Sequence, residues 1–292
     1  MLFVSGEKPQ RFAKALAAGA DVVCMDLEDA VHPGLKAEAR AAVIAFARDH
    51  ARNRPASGQG PALAVRLNAI TTQDGLADVQ ALVASGVCFD HVLLPKVEFA
   101  RDAALLHAWA APSFKSLVAL VETPLGIENA HAIGSAVHHG APKLAVLMLG
   151  GADLSAELGA EFSWDGLLSA RGRLLNAARA SGLQAWDVPF VDVRNTEGLA
   201  AETAAVLRMG YVCKTAIHPD QIGVIHAAFA PSAQQARWAQ GVVQALEARD
   251  ANQSSGAFLL DGKMIDAPVA RNARRIVELM KREAARPPAP RA

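Results

Sequence analysis

The sequence is poor in several residue types and patterns, and each shortage excludes a class of protein. Only 3 of the 292 residues are cysteines, Cys24, Cys88 and Cys213, and an odd number without metal-type spacing predicts neither a disulfide framework nor a zinc site. We expect reduced, buried thiols that act as small hydrophobic side chains. Basic and acidic residues balance at 29 each, which argues against a nucleic acid or an anionic membrane as partner.

Long apolar runs and nucleotide-binding motifs are missing as well. No uninterrupted apolar run approaches the ~20 residues that span a bilayer, and the first residues do not follow the pattern of a signal peptide. The glycine-rich fingerprints of nucleotide-binding loops do not occur in the sequence. We therefore expect a cytoplasmic protein whose ligands are small molecules.

The sequence does have a regular alternation of apolar, strand-length runs with stretches of helical periodicity. The eight runs are residues 1–6, 21–26, 63–68, 91–96, 116–122, 144–150, 183–189 and 211–219. Eight such units within residues 1–230 predict a (β/α)8 TIM barrel, for which ~250 residues is the usual length. An open, doubly wound sheet is the alternative.

Beyond the barrel, residues 231–285 predict a C-terminal helical extension. It contains a long helix, two short apolar stretches around a turn at Asp261, and an amphipathic helix. A barrel does not need this segment for closure, so we expect it to dock on a neighbouring subunit. The proline-rich residues 286–292 predict a disordered tail.

Two acidic residues, Glu122 and Asp153, follow the fifth and sixth apolar runs. Because the carboxyl ends of parallel strands gather on one face and adjacent strands lie ~4.8 Å apart, both carboxylates could reach one cation. Mg²⁺ uses few protein ligands and keeps several waters, so it is the predicted cofactor. The alternative is that both are solvated charges at strand ends.

Other charged residues at strand ends are expected around this pair. Arg66 interrupts an apolar run and could contact a substrate carboxylate or carbonyl oxygen, or form a structural ion pair with Glu28 or Asp29. Asp26, Glu28 and Asp29 form a dense negative patch at the exit of the second strand, which could orient Arg66, Lys96 or a metal-bound water. We therefore expect Glu28, Asp29 and Lys96 to surround the metal site without binding the metal directly. Lys96 could alternatively form a Schiff base, although no neighbouring residue indicates the lowered pKa that this needs.

Several motifs together resemble one family, the citrate lyase beta-subunit-like branch of the HpcH/HpaI aldolases, which includes malyl-CoA and citramalyl-CoA lyases. In order along the chain they are LFVSGEKPQRFAKAL, DLEDAV, VRLNA, LLPKVE, LVETPLGIENA, LGGADLSAELG, KTAIHPDQI, FAPS and GKMID. No single motif is decisive, but their joint order is specific.

The resemblance implies a Mg²⁺-dependent carbon–carbon lyase that acts beside a CoA thioester. By motif, Glu122 and Asp153 would bind Mg²⁺, Arg66 would contact substrate and the developing enolate, and Asp266 would be a catalytic residue delivered to the neighbouring subunit of a homotrimer or hexamer. Gly151 and Ala152 stand where other members carry a more polar pair and would border the substrate carboxylate.

The resemblance leaves several reactions open. The expected substrates are malyl-, citramalyl- or citryl-CoA, cleaved to acetyl-CoA and a 2-oxo acid. The same site could act as a malate synthase or malyl-CoA thioesterase, as an aldolase without CoA, or as a citrate lyase beta subunit that depends on a carrier protein. Asp266 could also be only the N-cap of the following helix.

Overall fold

Eight parallel strands form the centre of the fold in the computed structural model, which describes residues 1–53, 60–251 and 256–284. The strands are β1 (Leu2–Ser5), β2 (Val22–Asp26), β3 (Ala62–Arg66), β4 (Phe89–Leu94), β5 (Phe114–Val121), β6 (Leu144–Leu149), β7 (Gln184–Pro189) and β8 (Cys213–Thr215). Each strand pairs with the next one in sequence. Ala216, directly after β8, bridges in parallel to Leu2 of β1 and so brings the two ends of the sheet together.

Helices occupy the connections between these strands, and one more follows β8. They are α1 (Phe12–Leu16), α2 (Lys36–Asn53), α3 (Gln73–Ser85), α4 (Ala100–Ala110), α5 (Pro124–Glu128), α6 (Ala130–Ser135), α7 (Gly151–Leu158), α8 (Trp164–Ala180), α9 (Thr196–Met209) and α10 (Gln221–Phe229). Short 3-10 helices cover Pro9–Arg11, Pro33–Leu35, Ala111–Ser113 and Ala136–His138. The predicted TIM barrel is confirmed, and the open-sheet alternative is wrong.

Side chains fill the interior of the barrel. Alternate residues of each strand point inward, and the buried cluster that they form contains Cys24, Ala64, Leu93, Val118, Leu120, Val146, Met148 and Trp186. The barrel is therefore a packed core, and ligands must bind at its ends.

A short polar motif starts α5, the helix that follows β5 at the carboxyl end of the barrel. Thr123, directly after β5 and Glu122, accepts a hydrogen bond from the Gly126 N–H (3.0 Å) and so caps α5. Pro124 occupies the first turn, where its missing N–H costs nothing. The chain therefore leaves β5 and enters α5 at once, which fixes the position of Glu122.

The chain divides into two compact units, Met1–Ile225 and a second that begins at His226. The second unit contains α11 (Ala233–Ala251), β9 (Phe258–Leu260), β10 (Lys263–Ile265) and α12 (Ala267–Ala284). β9 and β10 form an antiparallel hairpin. Asp261 and Gly262 form its two-residue turn, both with positive φ (48° and 74°), as a type I′ turn requires.

Three other expectations from the sequence have different outcomes. Cys24 is buried and Cys213 is half-buried, but Cys88 is exposed, so the expectation of three buried thiols is wrong for Cys88, which follows α3 at the amino end of β4. The predicted tail at 286–292 lies outside the described residues. None of the described helices combines the length and the hydrophobicity that a membrane-spanning helix needs.

Candidate active site

Charged residues from five consecutive strands lie on the carboxyl-end face of the barrel. Asp26 and Arg66 are the last residues of β2 and β3 and are direct neighbours in the parallel register. Lys96 comes shortly after β4, Glu122 directly follows β5, and Asp153 lies in the first turn of α7 after β6. The barrel thus collects residues that are far apart in sequence into one site.

Glu122 is fixed from two sides. Its side chain is buried, with 3% of the residue exposed, and the backbone N–H of Lys96 donates to its Oε1 (2.9 Å). On the other side, Gly150 passes so close that an added Cβ would lie 2.3 Å from the Oε2 of Glu122. Only glycine permits this approach, so the local sequence holds the carboxylate in one position.

The positive charge near the buried carboxylates of Glu122 and Glu28 is too small to stabilise both of them in the ionised form. Burial, and then repulsion by Glu28, raises the pKa of Glu122 to about 8. Burial likewise raises the pKa of Glu28 to about 7, although Arg66 opposes this effect. Oε2 of Glu28 lies 2.9 Å from Nη1 of Arg66 but has no hydrogen-bond partner within the described structure. A further cation close to Glu122 and Glu28 would stabilise their ionised carboxylates.

Lys96 links Asp153 to the carboxylate of Glu28 through its ammonium group. Its Nζ lies 2.9 Å from Oδ2 of Asp153 and 3.8 Å from Oε1 of Glu28. The hydrogen bond to Asp153 raises the pKa of the Lys96 ammonium, against the opposing effect of burial. Asp153 is the more accessible carboxylate, with 35% of its side chain exposed.

Arg66 is oriented mainly by Asp26. The Nε and Nη2 atoms of Arg66 donate to the two carboxylate oxygens of Asp26 at 2.7 and 2.6 Å, which is the two-pronged geometry that fixes a guanidinium most strongly. Nη1 lies near Glu28, and 3.5 Å from Oδ2 of Asp29. The sequence named Glu28 and Asp29 as alternative ion-pair partners of Arg66 and placed Asp26 in the same acidic patch. Asp26 and Arg66 end adjacent strands, which brings them side by side.

The residues present fit a hard divalent cation with few protein ligands. Within the described ranges, no group of three or more His, Cys, Asp or Glu side chains is arranged to hold a metal alone. Glu122 and Asp153 offer two carboxylates from adjacent strands, and Lys96 contacts both of them. Such a pair, completed by water and substrate oxygens, is the arrangement that Mg²⁺ uses.

Gly151 and Ala152 open helix α7. Gly151 is buried, and an added Cβ would lie 2.7 Å from both Phe162 and Leu167. Packing at this position therefore requires a glycine, independently of any contact with substrate. Ala152 is exposed. The N–H groups of this first turn lack helical acceptors and point toward the same end of the helix as Asp153, which suits an anionic group.

Asp266 lies in the second unit, between β10 and α12. Its Oδ1 accepts a hydrogen bond from the N–H of Val269 (3.0 Å), so the residue is the N-cap of α12. This matches the structural alternative that the sequence left open. A catalytic role for Asp266 stays a prediction.

A cavity of about 450 Å³ opens beside β1, α1 and the segment after β8. Arg11, Lys14 and His218 are among the residues that line it. His218 is half-exposed and lies 3.4 Å from Asp220. Arg11 and Lys14 are not among the ligand contacts that the sequence predicted. Their spacing of three on a helical segment was the signal, because it places both side chains on one face.

Comparison with known proteins decides the family. Residues 1–219 match the HpcH/HpaI aldolase/citrate lyase family. The chain belongs to this family. Citrate lyase subunit beta of Haemophilus influenzae is 34% identical over 96% of each chain, and the human mitochondrial citramalyl-CoA lyase is 29% identical over 96% of this chain and 84% of that one. The resemblance identified from the sequence is confirmed.

A solved structure supports the same assignment. The protein CitE from Mycobacterium tuberculosis, in complex with magnesium, acetoacetate and coenzyme A, superposes with a TM-score of 0.77 at 33% identity. The match covers 96% of this chain and 97% of that one. The likeness therefore extends beyond the barrel and includes the second unit.

Proposed function

We propose that this protein is a Mg²⁺-dependent carbon–carbon lyase that cleaves, or forms, a 3-hydroxyacyl-CoA thioester such as malyl-, citramalyl- or citryl-CoA. The observation that carries the proposal is the cluster of Glu122, Asp153 and Arg66 at the carboxyl end of the barrel, in a chain related to lyases over 96% of its length. The products would be acetyl-CoA and a 2-oxo acid.

Glu122 and Asp153 would hold the Mg²⁺. When bound, Mg²⁺ would supply Lewis acidity toward the hydroxyl and carboxylate oxygens of the substrate. The two side chains differ in a useful way, since Glu122 is buried and fixed whereas Asp153 is partly exposed. Glu122 would define the position of the cation, and Asp153 would border the side from which substrate enters.

Arg66 would stabilise the charge that develops on the thioester oxygen. In cleavage, the 3-hydroxyl releases its proton to solvent and its oxygen forms the new carbonyl at C3. The C2–C3 bond breaks, and its electron pair passes to the acetyl fragment as an enolate. The Asp26 carboxylate already holds Arg66 in place, so little reorganisation is needed. One preorganised donor of this kind contributes roughly 3 kcal/mol.

Asp266 would transfer the proton to and from the acetyl carbon, and the second unit would deliver it to the site of a neighbouring subunit in a homotrimer or hexamer. The hairpin that precedes Asp266 supports the proposal that this unit contacts a neighbouring subunit. Leu259 and Met264 on the hairpin are 73% and 63% exposed, and adjacent exposed apolar side chains are typical of a contact surface.

The cavity beside β1 would receive the CoA arm. Arg11 and Lys14 on its wall offer positive charge to the phosphates, and the chain as a whole has no net charge to attract them. The related CitE protein binds coenzyme A. From this cavity the thioester end of CoA could reach Arg66, because Phe3 lines the cavity and its ring centroid lies 5.2 Å from Cζ of Arg66.

One alternative has specific support. The chain is 34% identical to citrate lyase subunit beta, somewhat closer than to the citramalyl-CoA lyase at 29%. A citrate lyase beta subunit would run the same chemistry on a carrier-bound thioester.

Acetyl-CoA release by the purified protein tests the proposal. Malyl-, citramalyl- and citryl-CoA are supplied in turn, with Mg²⁺ and with EDTA. Mg²⁺-dependent release from one of them is the expected result and names the 2-oxo acid. Failure with all three CoA thioesters, together with cleavage of a carrier-bound citryl thioester, would overturn the proposal in favour of the alternative.

A further inference from the structure

Lys96 has an unusual backbone conformation for a residue with a side chain. Its φ is 53°, in the left-handed region that a Cβ disfavours. Strain of this kind persists only where surrounding contacts maintain it, and it concentrates at functional sites. Here the conformation aims the Lys96 N–H at Oε1 of Glu122.

The side chain of Lys96 reaches the other carboxylates of the site. Its Nζ donates to Oδ2 of Asp153 (2.9 Å) and lies 3.8 Å from Oε1 of Glu28. One residue thus contacts Glu122 through its backbone, and Asp153 and Glu28 through its ammonium. The ammonium lies among carboxylates that a divalent cation would also approach, and 43% of the side chain is exposed, so it has room to move away.

We propose that Lys96 is a positioning residue that serves as the internal counter-ion of the metal-free site. Its ammonium compensates Asp153 and Glu28 until a divalent cation binds, and it then withdraws from Asp153. The backbone N–H stays on Glu122 throughout. This inference rests on the proposed Mg²⁺ site.

The proposal has a distinctive consequence for metal affinity. If the ammonium competes with the cation, removing it strengthens Mg²⁺ binding, because no ion pair must be broken and one repulsive charge is gone. If instead the ammonium stays and supports Asp153 as a ligand, removing it weakens Mg²⁺ binding. A purely structural residue would change stability and leave the affinity unchanged.

Isothermal titration of Mg²⁺ into the full chain, without substrate, distinguishes these cases. We expect Lys96→Gln to bind Mg²⁺ roughly fivefold more tightly than the wild type, as expected for loss of a partly exposed ion pair. Lys96→Gly, which suits a φ of 53°, gives the same result without backbone strain. The matched control is Lys115→Gln, which removes an exposed lysine paired with Asp90 (2.8 Å) and should not change the affinity.

A second readout is independent of activity. The rise in unfolding temperature caused by saturating Mg²⁺ should be larger for Lys96→Gln than for the wild type, because the metal-free variant has lost its counter-ion. Equal or weaker Mg²⁺ binding by both Lys96 variants would overturn the inference while the metal site stands. Absence of Mg²⁺ binding to the wild type would overturn the metal assignment and the inference together.

Discussion

Two clusters of charged side chains in the first unit differ in how their charges are matched. The paired cluster consists of Arg171, Asp187, Glu202 and Lys214. The acidic cluster consists of Asp26, Glu28, Asp29, Arg66, Lys96, Glu122 and Asp153. In the paired cluster two bases face two acids, whereas in the acidic cluster five carboxylates face Arg66 and Lys96.

The paired cluster satisfies its charges internally. Nε of Arg171 lies 2.9 Å from Oδ1 of Asp187, and Nζ of Lys214 lies 2.6 Å from Oδ2 of the same carboxylate. Glu202 accepts hydrogen bonds from both bases. These residues come from α8, β7, α9 and β8, so the cluster ties two helices to the barrel wall.

This difference in charge balance distinguishes charged residues that stabilise the fold from charged residues that are available to bind a ligand. Buried charges that are fully paired contribute to structure, and loss of one partner is costly. The acidic cluster keeps carboxylates with raised pKa values at the open end of the barrel, as expected for groups that meet a cation or substrate. Four predictions test this distinction.

Glu122→Gln should have the largest effect. The variant keeps the size of the side chain but loses the charge that would hold Mg²⁺, so Mg²⁺-dependent acetyl-CoA release should fall by about 10³-fold or more. The unfolding free energy in EDTA should not fall, because a buried and repelled charge is removed. Glu128→Gln, at an exposed position of α5, is the control. Wild-type turnover by Glu122→Gln would contradict the metal assignment.

Lys214→Met should have the largest effect on stability. The substitution leaves Asp187 and Glu202 with one base, and breaking a buried pair in this way costs about 3–5 kcal/mol. Denaturant unfolding measures the loss. The same substitution at Lys96, in the acidic cluster, should change the unfolding free energy by less than about 1 kcal/mol, because that side chain is partly exposed. Similar losses in both variants would erase the distinction between the clusters.

The acidic cluster should also make stability depend on pH. The folded-state pKa values of Glu122 and Glu28, about 8 and about 7, lie above the ordinary value of 4.5. The folded chain therefore binds more protons than the unfolded chain in this range. Stability is lost as pH rises from about 4.5 to about 7 for Glu28 and to about 8 for Glu122, by up to about 1.4 kcal/mol per pH unit for each group.

Unfolding free energies in EDTA at several pH values check this slope. Glu122→Gln should remove its share of the slope, and Mg²⁺ should flatten the wild-type profile by binding the ionised carboxylates. A profile that is the same in Glu122→Gln and in the wild type would show that the slope arises elsewhere.

The barrel, and the strand-end positions of the candidate site residues, could be predicted from the sequence because both depend on local patterns. The apolar runs predict the strands. The first charged residue after each run lies at the carboxyl end of the barrel, and this does not depend on the exact register between strands. The sequence placed Asp26 in an acidic patch that could orient Arg66, but which carboxylate of the patch holds the guanidinium depends on the register between β2 and β3, and packing between distant segments determines that register. The left-handed conformation of Lys96 could not be predicted, since neighbouring contacts impose it against the preference of its own side chain.

The ion pair between Arg173 of α8 and Glu128 of α5 is exposed, and it can be compared with the buried ion pairs of the two clusters. Its geometry is as close as that in either cluster, and the hydrogen bond from Arg173 lowers the pKa of Glu128, the opposite direction from Glu122. Both side chains are about half exposed, 49% and 61%, so water and salt compensate for the loss of the partner. Arg173→Ala should therefore move the unfolding temperature by no more than about 2 °C, with Glu128→Ala as the matched variant. A shift comparable to that of Lys214→Met would mean that close geometry, rather than burial, decides what an ion pair contributes in this barrel.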